Sequence, residues 1–145
     1  MIDRFINQYE FLGNFYPLPH PTLEHHFQAA KTLDPIKKGE IMAASSPNEA
    51  KKLGRTVKLR PDWESIKNKV MEDLVRWKFQ DPVLANKLLL TGNEELMEGN
   101  SHGDSIWGCV RNGDTWVGEN RLGKILMKVR LEVRKKGVAW SQTSL

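Results

Sequence analysis

PDWESIKNKVMEDLVRW, residues 61–77, is the stretch that decides the fold. Trp63, Ile66, Val70, Leu74 and Trp77 recur there at three- and four-residue spacing, the period of a helix with one buried face. We expect that stripe to be core. Downstream, Asp81-Pro82 repeats the same opening signal and starts a helix carrying Val83, Leu84, Leu88 and Leu90 that stops at Gly92. Upstream, Ser45-Ser46-Pro47 is a cap with proline at the first helical position, for a helix ending at Gly54. A short helix over residues 35–44 precedes it. Before that, Thr22 caps a helix from Leu23 to about Leu33, where Asp34-Pro35 stops it.

The flanks are different. The first twenty residues alternate aromatic and polar positions and run into PLPHP, residues 17–21, which suits a short strand or two followed by an extended loop. From Glu98 to Asp114 the composition turns to Gly, Asn, Ser, His and Asp, and Asn112-Gly113 signals a type I′ hairpin in a ribbon from about Trp107 to Val117. Asn120 then caps a last helix with Leu122, Ile125, Leu126, Val129 and Val133 on its buried face. The expected fold is α+β, a mainly helical single domain with a small β ribbon or sheet. Its core covers residues 3–137, and residues 138–145 form a frayed tail.

Composition bounds the function. A chain of 145 residues, 39% hydrophobic and 28% charged, buries a core of its own without disulfides or a structural metal. Cys109, the only cysteine, has no intrachain partner and no clustered ligands, so it reads as a packing residue. No window is apolar enough to span a bilayer, and the start, MIDRFINQYEF, is charged where a signal peptide is apolar. The expectation is a cytoplasmic protein without a membrane partner. The excess of 22 Lys and Arg over 18 Asp and Glu favours phosphorylated ligands or nucleic acid without demanding them. Lys51, Lys52, Arg55, Lys58 and Arg60 lie close together, and Lys124, Lys128, Arg130, Arg134, Lys135 and Lys136 crowd the last helix. Such runs are ordinarily solvated faces.

Four clusters remain once the core stripes are set aside: Glu24 to Lys31, Ser45-Ser46-Pro47, His102-Gly103-Asp104 with Trp107, and Gly118 to Arg121. With FLGNFYP, TLEHHFQAAK, SSPNEAKKLGR, LRPDWESIKNKVM, DSIWG and GENRLGKILMKVR in this order, the chain resembles the NADAR family from about Phe11 to Arg134. The resemblance implies a mostly helical α+β domain with an N-glycosidase site and no cofactor. It also implies two substrate types, ribosylated riboflavin precursors and guanine bases carrying ADP-ribose. In both, ribose C1 is bonded to an exocyclic amine nitrogen. Cleaving that bond through an oxocarbenium-like state or a ring-opened iminium needs a carboxylate near C1 and a proton donor.

By position in the family motif, Glu24 is the principal acid/base or electrostatic stabiliser, and Lys31 a phosphate binder or amine nucleophile. From the residues alone, Glu24 reads as a first-turn glutamate favouring the helix dipole and Lys31 as a solvated helix lysine. Seven residues apart, both can share one face with Gln28 between them. His25 and His26 diverge by about 100° on a helix and do not ligate one ion together, so no metal site is expected. Asp104 corresponds to an acidic family residue that binds ribose or positions water, with a loop-capping Asp as the plain alternative. Trp107 corresponds to a tryptophan able to stack on a base, worth about 1–3 kcal/mol, or to packing in the core. Asn120 and Arg121 match the family's NRLG start of the last helix, whose N-terminus favours a phosphate; for Asn120 a simple cap serves equally well. Asn14 and Phe15 match an element that lines the base pocket, though Phe15 also suits plain core. Ser46 is either a phosphate-reaching hydroxyl or an ordinary cap.

The leading expectation is an N-glycosidase that removes ADP-ribose from guanine in nucleic acid. That reading brings in a DNA-modifying ADP-ribosyltransferase toxin as a genomic neighbour. The alternatives are hydrolysis of a ribosylated, phosphate-bearing riboflavin precursor, and a module that binds ADP-ribose or NAD without cleaving it. The chain departs from the family in CVRNGDTWVGEN and in the length of SHGD, where substrate beyond the ribose would lie.

Overall fold

The computed structural model describes residues 1–18 and 21–143, with side chains through Lys136. The expected frayed tail, residues 138–145, falls outside the described side chains, and Ser144 and Leu145 outside the described residues. A 3-10 helix, Asn7–Leu12, is followed by α1 (Leu23–Ala29), α2 (Pro35–Met42), α3 (Pro47–Gly54), α4 (Trp63–Lys78) and α5 (Pro82–Leu90). Strands β1 (Gly99–Asn100), β2 (Cys109–Asn112) and β3 (Thr115–Val117) then lead into α6 (Arg121–Thr143). The fold is α+β, mostly helical with one three-stranded sheet. Two compact units make it up, one of Asn14–Leu74 and one of Met1–Gly13 with Val75–Leu145. Among the described residues no helix is long and apolar enough to cross a membrane.

In the Asn14–Leu74 unit, short polar side chains set where helices begin. Asp34 Oδ1 accepts the Ile36 N–H at 2.9 Å, and Ser46 Oγ accepts the Glu49 N–H at 3.1 Å, each satisfying amides that a helix start leaves unpaired. α1 stops at Ala29 rather than near Leu33, and Lys31 lies in the turn beyond it. There the Lys31 N–H reaches back to Gln28 O at 3.2 Å, and the Lys31 carbonyl accepts the Arg60 N–H at 2.8 Å. A tertiary hydrogen bond takes the carbonyl that a longer helix would use. The core gathers Ala29, Ile41 and Ala50, with Met42, Ala44, Leu53 and Val57 against it. Phe27 packs on Trp63 with ring centroids 5.1 Å apart.

The expected stripe on α4 is displaced. Trp63 is buried, but the residues buried after it are Met71, Val75 and Lys78, while Ile66, Val70 and Leu74 are half-buried and Trp77 is 46% exposed. Steps of four and three residues from Met71 reach Val75 and Lys78, so a face chosen by apolar character alone settles one position off.

In the other unit the expected N-terminal strands reduce to a single bridge, Ile2 to Leu96, and the 3-10 helix replaces the rest. Consecutive Phe11 and Leu12 are both buried, a pattern that no one-sided strand produces. Phe11 meets Phe79 edge-on at 6.4 Å. β1 pairs parallel to β2 and β2 antiparallel to β3, with Asn112 opposite Thr115. The hairpin therefore turns on Gly113-Asp114, and of these two only Gly113 has a positive φ, 63°. That is the pattern of a II′ turn, with glycine first, not the expected I′ turn, which needs both residues left-handed.

α5 buries Leu84 and Leu88, four residues apart, and leaves Val83 and Leu90 exposed. α6 buries Leu122, Ile125, Leu126 and Val129 as expected, with Val133 half-buried. Two residues of its basic run are not solvent-facing charges. Arg130 is buried and donates to Thr91 Oγ1 at 2.9 Å and Glu94 O at 2.8 Å, and Arg134 donates to Gly92 O at 2.8 Å. They serve the carbonyl-rich turn after α5.

Candidate active site

α1 is held from both sides of its first turn. Thr22 Oγ1 accepts the His25 N–H, and His25 Nδ1 accepts the Thr22 N–H at 3.1 Å, closing a capping box. His25 Nε2 lies 3.0 Å from Ala44 O. A proton on Nε2 satisfies all these contacts, and both ring nitrogens are then committed within the protein. His25 is an anchor for α1. Burial first, and the neighbouring His25 second, hold His26 below the ordinary histidine range.

With the helix start secured by Thr22 and His25, the Glu24 carboxylate is not used as a cap. Glu24 is buried, its N–H donates to Asn14 O at 3.1 Å, and its Oε1 accepts from Gln28 Nε2 at 2.6 Å. The four-residue spacing makes this bond possible along one face. Because the carboxylate fixes Gln28's amide as donor, Gln28 Oε1 is turned away, against Gly54 of α3. A Cβ on Gly54 would stand 1.9 Å from that oxygen, so glycine is what permits this rotamer. Among the described residues, Gln28 Oε1 and Asn14 Oδ1 are buried acceptors without a hydrogen-bond partner, each costing about 1–3 kcal/mol.

Lys31 completes the group. Burial pushes its pKa below the ordinary lysine value, the Glu24 carboxylate opposes that, and the charges of Arg55, Lys51 and Lys67 reinforce it. Of the expected triplet, Glu24 and Gln28 are in contact, and Lys31, in the turn past α1 rather than in a second helical turn, feels the Glu24 charge. Phe15 is exposed, 41%, so the plain-core alternative falls away. Ser46 is the cap of α3.

Asp104, Trp107, Asn120 and Arg121 form a second group, in the other unit. Asp104 Oδ1 accepts the N–H groups of Ile106 at 3.0 Å and Trp107 at 2.9 Å, the loop-capping behaviour weighed above. Asn100, which the sequence reading missed, pins this loop to the sheet. Its Nδ2 donates to Asp104 O at 2.8 Å and its Oδ1 accepts the Asp104 N–H at 3.0 Å. The Arg121 guanidinium sits 6.0 Å from the centroid of Trp107 and pairs with Glu119 at 3.0 Å. Asn120 is not a side-chain cap of α6. Its backbone is left-handed, φ 49°, and its amide spans Glu98 N–H and Leu96 O at 3.1 and 2.9 Å.

The expected phosphate site at the start of α6 is also corrected. The N–H groups of Glu119, Asn120, Arg121 and Leu122 donate to the carbonyls of Ser105, Gly108, Ile106 and Trp107 at 2.8–3.2 Å. These amides are spent on the loop. Lys78, likewise missed, is buried, donates to Gly13 O at 2.8 Å, and is lowered to about 7 by burial. Its signal was its spacing from Met71 and Val75.

A mostly helical α+β chain with a buried carboxylate and an amide locked to it along one helix, and a partly desolvated lysine just past that helix, has the parts of a glycosyl-bond hydrolase. The NADAR domain matches residues 5–134, and the chain belongs to that family. It is 42% identical over 118 residues to N-glycosidase Npun_R5314 of Nostoc punctiforme, covering 78% of this chain and 74% of that one. It is 39% identical over 135 residues to riboflavin biosynthesis protein VVA0006 of Vibrio vulnificus. That match covers 86% of this chain but only 36% of the longer relative. The NMR structure of the E. coli protein YbiA superposes with a TM-score of 0.78 at 35% identity, covering 95% of this chain and 89% of YbiA.

Proposed function

We propose that this N-glycosidase hydrolyses the bond between ribose C1 and an exocyclic amine nitrogen, with Glu24 at C1 and Lys31 as the amine acting beside it. The observation that carries the reading is the buried Glu24 carboxylate, aligned by Gln28 at 2.6 Å and within the field of Lys31. A preorganised carboxylate stabilises positive charge developing at the anomeric carbon. Water's hydroxyl ends on C1 and its other proton on the departing nitrogen. Where the ribose ring opens first, the uncharged Lys31 amine adds to the C1 iminium and the arylamine leaves, carrying a proton. Water then releases the sugar from the lysine imine. A lowered lysine pKa raises the share of uncharged amine at any given pH.

We take the substrate to be a ribosylated, phosphorylated pyrimidine precursor of riboflavin. This reverses the order of the sequence reading, and its support is the relative named for riboflavin biosynthesis. ADP-ribosylated guanine in nucleic acid, with its toxin neighbour, is the second reading; the exposed Lys52, Arg55 and Lys58 favour it, since clustered cations suit a polyanion. We assign Asp104 to holding the Trp107 loop rather than to proton transfer.

The test is turnover of a ribosylaminopyrimidine phosphate and, separately, of guanine-ADP-ribosylated DNA, by wild type and by Glu24→Gln. Release of free amine from the pyrimidine alone, abolished in the variant, is the expected result. Release from DNA alone selects the second reading. Binding without release in both assays overturns the enzymatic reading in favour of a binding module. Borohydride reduction during turnover then reports on Lys31: a sugar adduct on that residue, more abundant as pH rises through its lowered pKa, is expected, and its absence removes the imine step.

A further inference from the structure

The charges of three cations, Arg55, Lys51 and Lys67, act on Lys31, and the reading of Glu24 gives none of them a role. Buried Ala50 and Gly54 turn α3 toward α1, and Gly54 touches Gln28. Lys51 and Arg55 each follow one of these small residues, about 100° further round, and share one side of α3 at four-residue spacing. They therefore flank the place where α3 meets Gln28, one turn before Lys31. Lys67, on α4, is the third. Its side chain is 18% exposed, and its ion-pair partner is Glu64, 77% exposed, at 2.7 Å.

The other basic residues of this stretch separate cleanly from these. Arg60 is paired with Asp62 at 2.6 Å, and Lys52 and Lys58 are exposed. Neither Lys51 nor Arg55 has an ion-pair partner among the described residues. Like charges near one another repel unless an anion joins them, and of the charges acting on Lys31 the opposing one is that of Glu24.

We propose that Lys51, Arg55 and Lys67 form a phosphate subsite beside Lys31, which takes the phosphate on C5 of the substrate's ribose. The proposal rests on the reading of Glu24 as the carboxylate at C1. C1 and the C5 phosphate are the two ends of a ribose phosphate, and α1 carries Glu24 at its start with Lys31 just past its end. With three other cations on the phosphate, Lys31 is left to act on the sugar. Arg55 supplies a planar fork for two phosphate oxygens and Lys51 a point charge. Lys67 exchanges an exposed carboxylate for a dianion.

Calorimetric titration with inorganic phosphate, ribose 5-phosphate, ADP-ribose and unphosphorylated ribose tests this on wild type, Lys51→Gln, Arg55→Gln and Glu24→Gln. Wild type is expected to bind ribose 5-phosphate at least about tenfold more tightly than ribose, and each cation variant to lose about tenfold, with melting temperatures unchanged or raised. In turnover both cation variants raise KM and keep kcat. Tighter binding of ribose 5-phosphate than of ADP-ribose assigns the subsite to a terminal monoester, and the reverse order to a pyrophosphate. Equal affinity for ribose and ribose 5-phosphate, or undiminished binding in both cation variants, overturns the subsite. The catalytic reading fails separately, if Glu24→Gln binds ribose 5-phosphate and turns substrate over at the wild-type rate.

Discussion

Glu24 and Asp104 are both acidic residues beside the start of a loop or helix, and both match acidic positions of the family, yet the chain treats them in opposite ways. At Glu24 the backbone amides of the helix start are served by Thr22 and His25, so the carboxylate meets only a side-chain amide. At Asp104 the carboxylate itself serves two loop amides, and nearby Asn100 and Asn120 are spent on backbone groups as well. Chemistry is available where other residues have already satisfied the main chain. An acidic side chain that does that work itself builds the loop instead.

The strongest way to break this contrast is Glu24→Gln. The amide keeps the size and can still accept from Gln28, so the fold is expected to hold while kcat falls about 10²–10⁴-fold, the usual range for a positioned acid or base. Thermal melts beside steady-state rates check it. A comparable loss of melting temperature would put Glu24 in the same structural class as Asp104.

Next in size is Gly54→Ala, which attacks the carboxylate's alignment without touching it. The new Cβ forces Gln28 Oε1 aside, and because that oxygen ends a flexible side chain, the 2.6 Å bond to Glu24 gives way. Losing a hydrogen bond to a charged group is worth about 1.5–3 kcal/mol, so kcat should fall roughly 10–100-fold. Stability should fall by less than that, since alanine is favoured over glycine in a helix by about 1 kcal/mol. Full activity in Gly54→Ala alongside a large loss in Gln28→Ala would show that Gln28 acts independently of its packing on α3.

The two regions were unequally legible in the sequence. Caps at Thr22, Asp34, Ser46 and Asp81 are local events between a side chain and amides two or three residues on, so reading them needs no tertiary knowledge. Glu24 and Gln28 share a face for the same reason. What failed depends on distant partners. Asn120 looks like a cap until Leu96 and Glu98 are placed against it. β1 is two residues long and exists only through its pairing with β2. Lys51 and Arg55 lie on α3 and Lys67 on α4, and no spacing rule joins the pair to Lys67. Lys78 sat on the buried face of α4 by periodicity, but its charge directs attention to the more apolar Trp77.

Lys78 also sharpens the contrast, as a buried charge with a packing role. Its pKa, lowered to about 7 from 10.5 in the unfolded chain, means that the unfolded state binds more protons between those values. Stability from this group therefore falls as pH drops from about 10.5 to about 7, and is level below that. Lys78→Met removes the dependence. Denaturant melts at pH 6.5 and pH 9.5 should show the variant's stability relative to wild type greater at the lower pH. A difference between variant and wild type that does not change with pH would mean that Lys78 is not desolvated in solution.

The smallest expected effect belongs to Asp104, and it tests the structural side of the comparison. Asp104→Ala removes the acceptor for the Ile106 and Trp107 amides and should cost about 1 kcal/mol, within the 0.5–2 kcal/mol span of a lost cap. Asp104→Asn retains an oxygen acceptor and should recover most of that stability. Activity then decides the role. A residue that holds the Trp107 loop lets Asn restore turnover together with stability, whereas a proton-transfer residue leaves Asp104→Asn folded and inactive. Near wild-type kcat in Asp104→Asn, beside the inactive Glu24→Gln, would place chemistry on one carboxylate and architecture on the other.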